Sequence, residues 1–142
     1  MTGVQTCALP ISEWNPFVRE ISGRAEVGAQ LSIRVQPPGQ RGMSFRPVVL
    51  AATPESELRW LGRLWMPRLF DGEHYFRLEP RTSERVRFVQ GECFRGLLVP
   101  LLWSWLETDT QRGFKLMNEA LKQRAESGAA SGLEQTAAAG SG

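Results

Sequence analysis

The chain has 142 residues, 42% of them hydrophobic and 23% charged, with a net charge of +2. This is enough for one small domain with a single core, and the balance is ordinary for a globular protein. The 17 basic residues have acids interspersed among them, which excludes an electrostatic footprint for nucleic acid. The longest apolar stretch, Gly96 to Leu106, contains Pro100 and falls far short of the ~20 residues a spanning helix needs, so no stable membrane insertion is expected.

Residues 1–11, Met-Thr-Gly-Val-Gln-Thr-Cys-Ala-Leu-Pro-Ile, look like a translated sequencing-adapter oligonucleotide rather than native protein, and they are set aside from fold reasoning. The domain is expected over residues 12–127. Residues 128–142 are rich in Ala, Gly and Ser, too poor in apolar surface to offset the entropy of ordering, and are expected to form a disordered tail. With Cys7 in the adapter-like segment, Cys93 stands alone. Neither a disulfide framework nor a cysteine-based zinc site is expected, which fits a cytoplasmic location.

Turn chemistry bounds six predicted strands in succession. Phe17 to Ile21 follows Asn15-Pro16, and Trp14 and Pro16 set its start. Gln30 to Gln36 stops at Pro37-Pro38-Gly39, and Met43 to Ala52 stops at Thr53-Pro54. Glu57 to Trp65 runs to Pro67, Glu73 to Glu79 follows Asp71-Gly72, and Arg85 to Phe94 stops at Gly96. Connections this short cannot hold crossover helices, so neighbouring strands should be antiparallel. Hairpin centres are expected near Gln40, between Pro54 and Glu55, near Leu69 and near Ser83. A helix starting at Leu97 to Pro100 follows, with Leu98, Leu102, Leu106, Gly113, Met117 and Leu121 on one stripe, broadened by Trp105 and Phe114. The predicted class is α+β: a curved antiparallel sheet with one long C-terminal helix across it.

Residues two apart in a strand share a face. The more apolar faces place Ile33, Phe45, Val49, Trp60, Leu64, His74, Phe76, Phe88, Gln90 and Glu92 toward the helix, where Leu106, Gly113, Phe114 and Met117 meet them. These residues are the candidate ligand-binding set, because ligand sites are mostly apolar with a few placed polar groups. Each aromatic taken singly also reads as core packing. His74 and Glu92 are the ionisable side chains on that face, and with a hairpin centred near Ser83, His74 faces Glu92 or Gln90. A carboxylate beside an imidazole fixes its tautomer and supports acid/base work, so the two are also the catalytic candidates. The alternative is a structural pair that sets strand register. One His and one Glu are too few for a metal site, and no cofactor is expected. Gly113 in a helix interior suggests close approach to the sheet or to a bound molecule. Trp65, Met66, Leu69 and Phe70 form an apolar loop that either gates a pocket, presents a patch to a protein or membrane, or packs beneath the helix start near Trp103.

Several segments together carry a family resemblance: Glu13-Trp14-Asn15-Pro16-Phe17, the Gly28 to Val35 strand, Phe45-Arg46-Pro47, Glu57-Leu58-Arg59-Trp60, Phe70-Asp71-Gly72-Glu73-His74, Glu92-Cys93-Phe94-Arg95-Gly96 and Phe114-Lys115-Leu116-Met117-Asn118. They cover Glu13 to Glu126, and the pattern resembles the SRPBCC superfamily of START-related helix-grip domains, which includes polyketide cyclase/dehydrase-like and lipid-transfer members. The resemblance implies a sheet wrapped around the C-terminal helix, with a hydrophobic small molecule, lipid or polyketide-like, held between them. It also implies two alternatives, a cofactor-independent cyclase or dehydratase, and a co-chaperone-like module that takes a protein partner. Family members open with a strand and short helices ahead of the Trp-Asn-Pro segment, and the adapter-like residues stand in their place. The strand from Arg85 to Phe94 is then expected to be an unpaired edge.

Overall fold

The computed structural model describes residues 11–64 and 66–139. Residues 1–10 of the adapter-like segment, Trp65 of the apolar loop and residues 140–142 lie outside the described residues. In order come α1 (Ile11–Trp14), β1 (Val18–Ser22), β2 (Ser32–Val35), β3 (Met43–Phe45), β4 (Val48–Thr53), β5 (Glu57–Arg63), β6 (Asp71–Pro80), β7 (Val86–Arg95) and α2 (Val99–Ala139). The fold is α+β, with two antiparallel sheets, β1-β2-β3 and β4-β5-β6-β7, and a C-terminal helix.

One continuous third strand was expected from Met43 to Ala52, and Arg46-Pro47 divides it. Proline has no N–H to donate to a ladder. The carbonyl of the buried Pro47 still accepts from Leu31 N at 2.9 Å. Beyond it, Gln30 bridges Val48 in the same register as Ile33 opposite Phe45. Gly28 N donates to Val49 O at 2.8 Å, and Val49 N to Ala29 O at 2.9 Å. The two sheets are thus joined at this corner, where a single sheet was predicted. β7 is the edge of the four-stranded sheet, with β6 as its only neighbour among the described strands.

One hairpin centre, at Ser83 for Pro80↔Val86, lies where the sequence places it, and Thr53↔Glu57 centres the β4–β5 turn on Glu55, just after the expected point, an offset that the register shift between Val49 and Ala51 removes before Val49↔Trp60. The other two fall earlier, at Gly39 for Val35↔Met43 and at Pro67 for Arg63↔Asp71. A shift of a hairpin centre by whole residues changes each pairing by an even number, so inward and outward faces are unchanged. The side-chain rows therefore survive the register error.

The core cluster comprises Phe17, Val18, Leu31, Ile33, Val49, Trp60 and Met117, with Trp14, Phe45, Leu58, Phe76, Phe88 and Phe114 packed against it. Each fully buried aliphatic side chain contributes about 1.5–3 kcal/mol by leaving water. Asn15, fully buried, organises the start of β1: its Oδ1 accepts from Phe17 N and Val18 N, both at 2.9 Å. This is an Asx turn that holds the chain where Trp14 leaves α1.

The outer face of β5 and β6 is occupied by charge. Glu57 accepts from Arg59 and, at 3.3 Å, from Arg77, while Arg59 also meets Glu73 at 3.4 Å. The hydrogen-bonded Arg59 guanidinium holds the Glu57 carboxyl below its ordinary range, against a smaller opposing effect of burial. Tyr75 covers its cross-strand partner Gly91, where a methyl group would collide with Tyr75 Oη. Arg77 lies 4.8 Å from the Tyr75 ring centre.

α2 runs to Ala139, past the tail expected from residue 128. Low apolar content limits what this segment can pack against. Local propensity is a separate term, and Ala129, Ala130, Ala137, Ala138 and Ala139 have the highest helix propensity of any residue type, so a helix nucleated upstream extends through them.

Gly113 settles one reading directly. A Cβ there would collide with the ring atoms Cδ2 and Cε2 of Phe17, so the close approach is to β1's aromatic lead-in residue. Gly113→Ala is expected to lower stability by about 1–3 kcal/mol through overpacking, even though alanine is better in a helix by about 1 kcal/mol. Urea unfolding measures the balance. An unchanged or raised midpoint would mean that Phe17 yields without cost.

Candidate functional site

β5, β6 and β7 present their inward residues as one cross-strand row, because directly opposed residues in an antiparallel ladder share a face. Trp60 opposes His74, and His74 opposes Glu92. One step along, Leu58 opposes Phe76, which opposes Gln90. The alternative left open by the sequence, Gln90 or Glu92 opposite His74, resolves to Glu92.

His74 is 6% exposed and is enclosed by rings. Trp60 stacks on it nearly parallel, 5.0 Å between centroids and 13° between planes. Phe76 and Phe114 meet it edge-on at 4.5 and 5.0 Å. Phe76 also contacts Trp60 at 5.2 Å and stacks on Phe88 at 5.7 Å. Such pairs add roughly 0.5–1.5 kcal/mol each beyond area burial. His74 Nδ1 lies 3.7 Å from Glu92 Oε2, an ion-pair distance longer than a hydrogen bond. His74 Nε2 is buried and has no hydrogen-bond partner.

An orphaned buried nitrogen costs about 1–3 kcal/mol, which offsets much of what the ring contacts of this imidazole contribute. Glu92 keeps 22% of its side chain exposed, giving the pair one sealed end and one end open to water.

The helix closes this row with polar contacts as well as rings. Gln90 Nε2 donates to Asn118 Oδ1 at 2.5 Å and to Phe114 O at 3.3 Å. Gln40, in the β2–β3 loop, donates to Asp109 on α2. Asn118 was not among the predicted residues. A signal for it was present, since it follows Phe114 by four positions and so shares its helical face.

The predicted set divides into three groups. Trp60, His74, Phe76, Phe114 and Glu92 are brought together, with Phe88 and Gln90 adjoining. Ile33, Val49 and Met117 lie in the main core, with Phe45 packed against it. Leu106 is 5% exposed and Gly113 adjoins Phe17. Leu64 does not belong with them. The strand predicted to reach Trp65 ends at Arg63, and Leu64 enters the loop, 43% exposed. Its amide donates to Phe70 O at 3.0 Å, and Leu69 N donates to Met66 O at 3.2 Å, so loop hydrogen bonds replace the ladder and the alternation of faces stops.

That loop is bonded to the start of the helix: Leu97 N donates to Arg68 O at 3.1 Å and Leu98 N to Leu69 O at 3.0 Å. Met66, Leu97, Leu101 and Trp103 remain 50% or more exposed around it. Cys93 is an exposed free thiol. Among the described residues no group of three His, Cys, Asp or Glu side chains is placed to hold a metal ion, and no helix is long and apolar enough to cross a membrane.

No family profile and no curated protein matches the chain. Among solved structures, the crystal structure of protein NE0264 from Nitrosomonas europaea, a structural-genomics target, is similar, with a TM-score of 0.55 and 17% identity over 86% of each chain. At that identity the likeness concerns the fold alone.

Proposed function

We propose that this is a helix-grip domain of the SRPBCC type and that it binds a hydrophobic small molecule, lipid or polyketide-like, between the four-stranded sheet and α2. The observation that carries the reading is His74, a buried imidazole with an unpartnered Nε2 among the rings of Trp60, Phe76 and Phe114. A cluster serving packing alone is better filled by an apolar side chain, whereas ligand sites combine apolar walls with a few directional groups. Phe114, borne on α2, meets the imidazole edge-on at 5.0 Å, so the helix supplies one wall of the proposed site. Apolar burial at about 25 cal/mol per Å² supplies the affinity, and His74, Gln90 and Glu92 set orientation.

Organic extracts of the purified protein, examined by mass spectrometry, are expected to contain a co-purifying hydrophobic compound at a stoichiometric level. Extracts that contain none, from protein that also fails to take up an added uncharged fluorescent naphthalene dye, would refute the reading.

The position of Glu92 against Nδ1 supports a second reading, a cyclase or dehydratase in which the carboxylate orients the imidazole as acid and base. His74→Phe separates the two: it spares apolar binding and abolishes turnover if the pair is catalytic. The exposed loop around Met66 favours a third, a module that binds a protein partner.

A further inference from the structure

From the polarity of the imidazole we infer the chemical class of the ligand's head group: an uncharged hydroxyl that donates its proton to His74 Nε2, not a carboxylate. This rests on the ligand-binding reading above and narrows it.

The two ring nitrogens of His74 stand in opposite surroundings. The Nδ1 side is 3.7 Å from a carboxylate oxygen of Glu92, whereas the Nε2 side has no donor or acceptor within hydrogen-bond reach. In a neutral imidazole one nitrogen carries the proton and the other is an acceptor, and the carboxylate draws the proton to Nδ1. Nε2 is then a buried acceptor without a partner. The group that satisfies it must donate, as a hydroxyl does and a carboxylate or ketone does not.

Charge selects in the same direction. Glu92 lies 3.7 Å from the imidazole, and a second carboxylate brought to Nε2 would sit across the ring from it, about 8 Å away once the ring width and one hydrogen bond are added, in surroundings formed by Trp60, Phe76 and Phe114. Like charges at such separations in a low-dielectric site repel strongly. The cations of this sheet do not compensate: Arg59, Arg63 and Arg77 lie on the opposite face, paired with Glu57, Glu73 and Asp71. On the helix, Lys115 follows Phe114 on an exposed position. The walls select for shape. A site walled by the rings of Trp60, Phe76 and Phe114 favours an aromatic body, which gains ring contacts that an aliphatic one does not, so the ligand class is a phenol or a similar aromatic alcohol.

Three probes of one shape test this at neutral pH, where a phenol is uncharged: 2-naphthol, 2-methylnaphthalene and 2-naphthoate, each titrated into the full chain by calorimetry. 2-Naphthol is expected to bind about tenfold more tightly than 2-methylnaphthalene, the gain of one hydrogen bond to an otherwise orphaned acceptor, and 2-naphthoate more weakly than either. His74→Phe should bring 2-naphthol and 2-methylnaphthalene within about twofold of each other, as no acceptor remains. Glu92→Gln, which leaves the ring cluster intact, should relieve the exclusion of 2-naphthoate by about tenfold. Equal or tighter binding of 2-naphthoate than of 2-naphthol by the unmodified chain overturns the inference, as does equal binding of 2-naphthol and 2-methylnaphthalene. If none of the three binds, the ligand-binding reading itself falls.

Discussion

Trp60→Ala is expected to cost about 3–5 kcal/mol, a large share of the stability a domain of this size possesses. Trp60 is 3% exposed, sits in the main core with Val49 and Met117, and stacks on His74 while meeting Phe76 edge-on. Its removal leaves a cavity at the point where the core joins the aromatic row, and its neighbours lie on paired strands that cannot collapse inward without breaking ladder bonds. The loss should appear in urea as a shifted midpoint with little change in slope. Trp60→Phe, which keeps a ring, should recover more than half of it. A loss under about 1 kcal/mol for the alanine variant would show that the row is loosely packed and that Trp60 is not its anchor.

Gly96→Ala is expected to be nearly as damaging, by a different route. Gly96 has φ 134°, a conformation that side-chain-bearing residues rarely adopt, and a Cβ there would strike the Leu69 carbonyl and the Phe70 amide. The obstacle is backbone, which has no alternative rotamer. Backbone strain of about 1–3 kcal/mol adds to the loss of the Leu97–Arg68 and Leu98–Leu69 hydrogen bonds, about 1 kcal/mol each. Arg68 is itself held at φ 69°, so the corner concentrates strain that those bonds restrain. Amide exchange at Leu97 and Leu98 is the specific reporter. It should accelerate in the variant more than exchange in β4 and β5 does. Uniform acceleration throughout the chain would show that the corner has no local role.

These two positions differ in how far the sequence reveals them. Trp60 is legible from alternation, because a two-residue period survives any hairpin shift that preserves parity, and the shifts at Gly39 and Pro67 do so. The opposition of His74 to Glu92 was legible for the same reason, given a centre at Ser83. Gly96 is legible only as a stop to β7. Its contact with Leu69 depends on the fold of a loop that belongs to another hairpin. Leu64 was misassigned because periodicity carries no mark for the residue at which a ladder ends. In this loop backbone hydrogen bonds decide that point.

By itself, the amino-acid order determined the antiparallel succession of strands, the inward row from Trp60 to Glu92 and the helical stripe of Leu106, Gly113 and Met117, since each follows from local turn chemistry and side-chain periodicity. Tertiary structure alone decided the division at Pro47, the seating of Gly113 against Phe17, the capture of Gln90 by Asn118 and the orphaning of His74 Nε2. Those outcomes depend on which groups far apart in the chain meet. Whether a polar atom finds a partner is a property of the assembled neighbourhood, not of the residue that carries it.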